Sequence, residues 1–397
     1  MQKRKWGMKS LSEIMIAAAV VLLSANACNR GGESVDNIHQ NSLMTKREVA
    51  RMLSSLPIGS GQMGEVYDAV SSSSANGYDE EYMMLDLLTI PGAGVGDDRT
   101  KAVKASSAYS VPMKTLIADY LAGKASASTK SGAADVQRYL DDLRDSGMQI
   151  YWPYSEEWDG ETLPLITFDP GNGAESNYAY VIGSGARGYE VLDSIFVDET
   201  IARERPVWVI NQNDDSGSIP LSSLLSTKSF WDDEDEDDDA EKYNLHIKDF
   251  TMLRQYDSWF AGASEFHIWC GGVDGFYAST EEQLKNYSPS ITDFVVVVKR
   301  SEVGEKKRFN AVLVTDFSDQ LDKLAFLIVE DDGGTRTNWK CSASVKIKSK
   351  TYGFDIDIPF RTSDDVVWRG QLGATYFTKG KSIEGRFGDV KLTFALE

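Results

Sequence analysis

Histidine and cysteine are scarce in this chain, three of each in 397 residues. His39, His246 and His267 lie far apart, with no H-E-x-x-H and no pair at i, i+4. A helical zinc-hydrolase motif is therefore excluded, and any other zinc site would have to gather ligands from distant segments. Cysteine is too rare for a disulfide scaffold. Cys270 and Cys341 leave room for one bond or two free thiols. His267 and Cys270 stand three apart, on opposite faces of any strand, which argues against a cysteine–histidine catalytic pair. No G-x-S-x-G elbow is present for a serine hydrolase. Long apolar runs are also missing. The longest, Ile14 to Leu23, makes a helix of about 15 Å, roughly half the hydrocarbon thickness of a bilayer, too short for a permanent span. Basic residues are outnumbered 41 to 61, so the net charge is −20 and nucleic acid is excluded as a partner. No cofactor is expected from these patterns.

What the N-terminus does contain is an ordered export signal. Lys3, Arg4, Lys5 and Lys9 form a positive head, the apolar run follows, and Ser24-Ala25-Asn26-Ala27-Cys28 comes at once. This arrangement resembles the lipobox of bacterial lipoprotein precursors, in which the cysteine is acylated and becomes the first mature residue. It departs from that pattern at Ala25, where lipoboxes usually carry Leu, and the same residues satisfy the small-x-small rule of ordinary secretion. Both routes cut after Ala27. The resemblance implies lipidation of Cys28 and attachment to a membrane by at least two acyl chains, each buried methylene adding about 0.8 kcal/mol. Residues 28–44 then read as a polar stalk. Removing the signal's net +3 leaves about −23 on the mature chain.

The body divides by periodicity. Residues 45–147 read as helical: Thr45-Lys46-Arg47-Glu48 is a capping box, and apolar stripes recur at Met63, Val66, Tyr67 and Val70, at Leu116, Ile117, Tyr120 and Leu121, and at Val136, Tyr139, Leu140 and Leu143. Residues 148–225 change to alternation and read as an antiparallel sheet. Residues 226–244 hold nine acids in the ten positions Asp232 to Glu241, which marks a linker or exposed loop. Residues 245–397 contain eight short β-branched or aromatic runs between turn signals, as in a β-sandwich. Lys350-Thr351-Tyr352-Gly353 reads as the turn of one hairpin. The fold class is thus α+β: a helical front, an antiparallel β region and a C-terminal β-sandwich.

Chemical motifs are few. Gly59-Ser60-Gly61-Gln62-Met63-Gly64-Glu65-Val66 resembles the Gly-rich loop of protein kinases. Residues 67–100 contain no lysine, and neither a His-Arg-Asp loop nor an Asp-Phe-Gly turn exists, so the same residues read as a helix face. Gly92 to Gly96 follows no parallel strand and makes no dinucleotide fingerprint. Tyr151, Trp152 and Trp158 stand among Glu156, Glu157 and Asp159, a mixture able to stack on sugar rings or to supply a carboxylate pair. Asp331, Asp332, Asp355, Asp357, Asp364 and Asp365 hold calcium only if the fold gathers them. As a whole the chain resembles envelope lipoproteins of unassigned activity. The expectation is a lipid-anchored cell-envelope protein with a non-catalytic binding role, its partner a glycan or an envelope protein; an extracytoplasmic glycan hydrolase is the alternative.

Overall fold

The computed structural model describes residues 42–89, 109–127, 133–185, 188–213, 220–221 and 243–397. The export signal, Cys28, the stalk up to residue 41, Gly92 to Gly96 and the acidic run Asp232 to Glu241 lie outside the described residues. Among those residues no helix is long and apolar enough to cross a membrane.

The protein is α+β. In the front part, α1 (Lys46–Ser54) starts at the capping box, where the Thr45 hydroxyl accepts the Glu48 N–H and the Thr45 N–H donates to the Glu48 carboxylate. Next comes α2 (Ser60–Ala75). It carries Gly61 and Gly64 inside a regular helix, which removes the phosphate-cradling loop that the glycines imitate. The order continues with β1 (Glu81–Met83), α3 (Met84–Leu88), α4 (Met113–Ala127), α5 (Ala133–Asp145), β2 (Met148–Tyr151), β3 (Leu165–Phe168), β4 (Ser176–Gly185), β5 (Gly188–Asp198), α6 (Glu199–Glu204) and β6 (Val207–Gln212). These strands form one sheet in the order β1-β2-β6-β3-β4-β5. All its pairings are antiparallel except that of β3 with β6.

Alternation puts Ile150, Ile166, Trp208 and Ile210 under the helices, against Val49, Leu53, Val66 and Ile117. The intervening residues Tyr151, Leu165, Val207 and Val209 face the other way and are covered by Trp259 and Phe260, which arrive from the rear part and are fully buried.

The rear is a β-sandwich. One sheet joins β10 (Lys307–Val314), β7 (Leu245–Met252), β16 (Val390–Leu396) and β15 (Ser382–Phe387) in that order. The facing sheet runs β13 (Lys350–Arg361), β12 (Arg336–Ile347), β11 (Leu321–Glu330), β8 (Ser264–Gly272), β9 (Ser290–Val298), with β14 (Asp365–Gly373) also paired to β11. Phe250, Phe266, Phe326, Leu324, Val345 and Phe394 fill the space between them. The hairpin turn lies at Lys348 and Ser349, not at 350–353. Lys348 takes the left-handed conformation at φ 56°, and Thr351, Tyr352 and Gly353 already pair with β12. Cys270 is buried, Cys341 half-buried, and both are free thiols.

Charged groups bind the two parts together. Arg300, just past β9, sends Nε to Glu199 Oε1 at 3.1 Å and Nη2 to Oε2 at 3.2 Å. Tyr154 Oη donates to the same carboxylate at 2.5 Å. Nearby, the buried Asp79 accepts the Ala263 N–H at 2.9 Å. Glu80 accepts the N–H and hydroxyl of Ser155 at 3.0 and 2.8 Å, pinning the turn in which Tyr154 is left-handed at φ 59°.

Candidate functional site

On the outer face of the rear sandwich a pocket of about 240 Å³ opens between β8 and the free end of the β12–β13 hairpin. Strand alternation builds its floor: Phe266, Ile268 and Cys270 point between the two sheets, so His267 and Trp269 take the opposite side of β8, where both are only 7% exposed and line the pocket with their remaining surface. The two rings stack at 5.0 Å with 13° between planes, which fixes the indole. Opposite them, Phe360 and Arg361 end β13, and Arg336 faces Arg361 across the hairpin. His267 Nε2 lies 3.3 Å from Asp331 Oδ2, while Asp331 Oδ1 accepts the Gly333 N–H at 2.9 Å and Arg361 Nη1 at 3.4 Å. Burial resists ionisation of Asp331, but the His267 and Gly333 hydrogen bonds outweigh it and hold the group below the usual carboxylate range. The Arg361 N–H donates to Asp364 Oδ2 at 2.7 Å. The result is an aromatic floor beside a row of donors and acceptors already held in place by one another.

Behind that row the acids do gather. Asp257, Glu330 and Asp332 bring one carboxylate oxygen each within 4.8 Å of the others. Asp332 is an exposed residue, but partial desolvation of its carboxylate and the charges of Asp257 and Asp365 push it up to about 7, and burial raises Asp257, which hydrogen-bonds Glu330. Such a trio either shares protons or accepts a hard cation such as calcium through oxygen ligands. Of the acids singled out from sequence, Asp331, Asp332, Asp364 and Asp365 meet at this end of the sandwich. Asp355 and Asp357 instead sit along the exposed side of β13 opposite Ser342 and Lys340.

The aromatic cluster of the front part is divided by the sheet. Tyr151 is fully buried on the face covered by Trp259 and cannot meet a ligand from solvent. Trp152 and Trp158 lie on the other side, 5.5 Å apart, and both line a second pocket of about 220 Å³ between the turn Trp152–Thr162 and the end of α6. The nearby carboxylates do not form a matched acid and base. Glu156 hydrogen-bonds Glu80 and turns toward Lys299 and Ser301 at the junction. Asp159 accepts the Thr162 hydroxyl at 2.5 Å and the N–H groups of Thr162 and Glu161 at 2.8 and 2.9 Å, which holds it at about 2, poorly suited to donating a proton. Glu157 is an exposed residue on the pocket rim.

Sequence reasoning missed the rear pocket. His267 and Trp269 stand at i, i+2 in a strand whose other face is apolar, a readable signal. Arg336, Phe360 and Arg361 come from a hairpin far along the chain, and nothing local marks them. Cys28 lies outside the described residues. No model of a known protein family matches the chain, and no curated protein matches it either.

Proposed function

We propose that this is a lipid-anchored cell-envelope protein, tethered through Cys28, whose rear sandwich binds a saccharide without transforming it. One observation carries the binding half of that reading: Trp269, braced by His267, forms the floor of a pocket whose wall is the paired Asp331 and Arg361, with the exposed Arg336 beside them. A pyranose presents apolar C–H faces and a ring of hydroxyls that both donate and accept. Indole faces pack against the former, and fixed carboxylate and guanidinium groups pair with the latter without rearrangement. The volume of about 240 Å³ suits one or two sugar units. The tether rests on the residues Ser24 to Cys28 and on the apolar run before them.

Two experiments test the halves separately. Cells expressing the full chain and fed a labelled fatty acid should yield a labelled product in the membrane fraction. Cys28→Ala should abolish the label and release the protein, and an unlabelled wild-type product removes the tether. For the ligand, a glycan array probed with the chain from residue 28 should show saccharide binding, lost at least tenfold in Trp269→Ala and Arg361→Gln. Binding untouched by both substitutions would move the site elsewhere.

A further inference from the structure

The second pocket, beside Trp152 and Trp158, differs from the rear one in the state of its charges. Arg203 is already engaged: its Nη2 donates to Glu199 at 2.9 Å, and its guanidinium lies 4.7 Å over the Tyr154 ring. Asp159 is saturated by its own turn. The guanidinium of Arg205, at the C-terminal cap of α6, has one hydrogen bond, from Nη2 to the Leu163 carbonyl at 3.1 Å. Its Nε is buried and has no hydrogen-bond partner, and among the described residues no carboxylate pairs with it. A half-buried guanidinium held in a pocket wall without an anion is electrostatically unbalanced, and its planar edge is shaped for the two oxygens of a carboxylate. The remaining lining has a different character. Trp158 is half-buried with its indole N–H donating to the Thr162 carbonyl at 3.0 Å, so its position is fixed and it presents ring rather than N–H to an incoming group. Glu157 and Glu204 are exposed at the rim, where water screens their repulsion of a single charge but where they disfavour polyanions.

We propose that this pocket binds a sugar bearing one carboxylate, with the ring packed against Trp158 and the carboxylate on Arg205. The site is independent of the rear pocket. It acts as a positioning and recognition site, and no covalent step is involved. The rim carboxylates accept hydroxyl hydrogen bonds from the ring, and the volume of about 220 Å³ admits a single unit.

The test uses the chain from residue 28 and three probes followed by calorimetry and tryptophan fluorescence: glucuronic acid, glucose and acetate. Glucuronic acid should bind about 10- to 100-fold more tightly than glucose, the range expected of charge-assisted hydrogen bonds. Arg205→Gln should erase that preference, Arg205→Lys should restore only part of it, and Trp158→Ala should weaken the acidic sugar. Trp269→Ala should leave it unchanged, which separates this site from the rear one. Equal binding of glucose and glucuronic acid, acetate binding as tightly as the sugar, no binding at all, or an Arg205→Gln protein of native circular dichroism that keeps the preference would each overturn the proposal.

Discussion

Arg300 is 7% exposed yet keeps its charge, because Glu199 takes two of its N–H groups and the Asp257 carbonyl a third at 3.2 Å. Glu199 in turn is drawn down to about 2: burial opposes its ionisation, and the hydrogen bonds from Arg300 and Tyr154 more than offset that. Removing one member of such a pair strands the other. Arg300→Met is expected to destabilise the protein by about 2–3 kcal/mol, somewhat under the range for fully buried pairs because Glu199 retains contact with water. Adding Glu199→Met should recover part of that loss, read as a coupling between the two in urea denaturation. A second residue-scale prediction concerns Gly388. It turns β15 into β16 at φ 61°, and a Cβ there would stand 2.4 Å from the Val367 carbonyl oxygen. Gly388→Ala should cost about 1–3 kcal/mol in thermal or urea unfolding, since neither the left-handed backbone nor the neighbouring main chain can give way cheaply. Gly380, at φ 68° with nothing near its Cβ, should tolerate the same change better and serves as the control.

Among elements, the segment carrying Trp259 and Phe260 decides whether front and rear behave as one body. Both rings are fully buried against Tyr151, Leu165, Val207 and Val209, and Trp259 Nε1 donates to the Glu175 carbonyl at 3.0 Å. Trp259→Ala should therefore destabilise by about 3–5 kcal/mol, the usual range for emptying an aromatic site in a core. Wild-type urea curves followed by circular dichroism and by tryptophan fluorescence should coincide. Their separation in the variant would show the two parts unfolding apart, and an unchanged midpoint would show that the ring does not hold them together. Periodicity alone could not anticipate this contact, because Trp259 and Phe260 stand in an irregular stretch between β7 and β8. The strands themselves were more legible. Phe266 to Cys270, Cys341 to Ile347 and Val390 to Leu396 alternate cleanly, and each lies within an observed strand. Three strands escaped: β1, only three residues long, lies inside the span 45–147 that reads as helical, and two strands of the rear sandwich were hidden for identifiable reasons. In β7 the buried phase runs through Leu245 and Ile247, then switches to Phe250 and Met252, because a bulge against Thr393 and Phe394 shifts the register. β15 is an edge strand with only Ile383 and Phe387 as large apolar residues, and Gly385 interrupts it. The rear pocket was hidden for a third reason: its floor is local to β8, while its wall comes from the far end of the β12–β13 hairpin.

At the scale of the whole molecule, the junction gathers more acids than bases. Asp79, Glu80, Glu81, Glu156 and Glu199 of the front gather around Lys299 and Arg300 of the rear and Arg203 of α6. Fully ionised, this set would carry two uncompensated negative charges, with Asp79, Glu80 and Glu81 buried and Glu156 and Glu199 in contact with water. Protons resolve the imbalance. Burial, with help from the charge of Glu81, lifts Asp79 to about 7, and burial with a hydrogen bond shared with Glu156 raises Glu80 as well, so in mild acid two neutral acids leave three carboxylates against three cations. A raised carboxyl stabilises the fold fully below its unfolded value near 4, and that contribution fades as pH climbs through the folded value. For Asp79 the window is therefore pH 4 to 7, and the change is on the order of 2–4 kcal/mol. Glu156 and Glu199 are held low and contribute the opposite slope only in strong acid, outside this window. Glu80, raised to about 9, extends the loss above pH 7, and Asp332, lifted to about 7 at the far end of the sandwich, adds a slope of the same sign, so the wild-type trend alone does not identify its source. Asp79→Asn does. The full chain should lose thermal stability steadily from pH 5 to pH 8, and the variant, whatever its absolute stability, should lose markedly less over the same interval. A variant as steep as wild type would place the sensitive protons elsewhere, and a wild-type stability that rises with pH would mean that the junction acids are already ionised in mild acid.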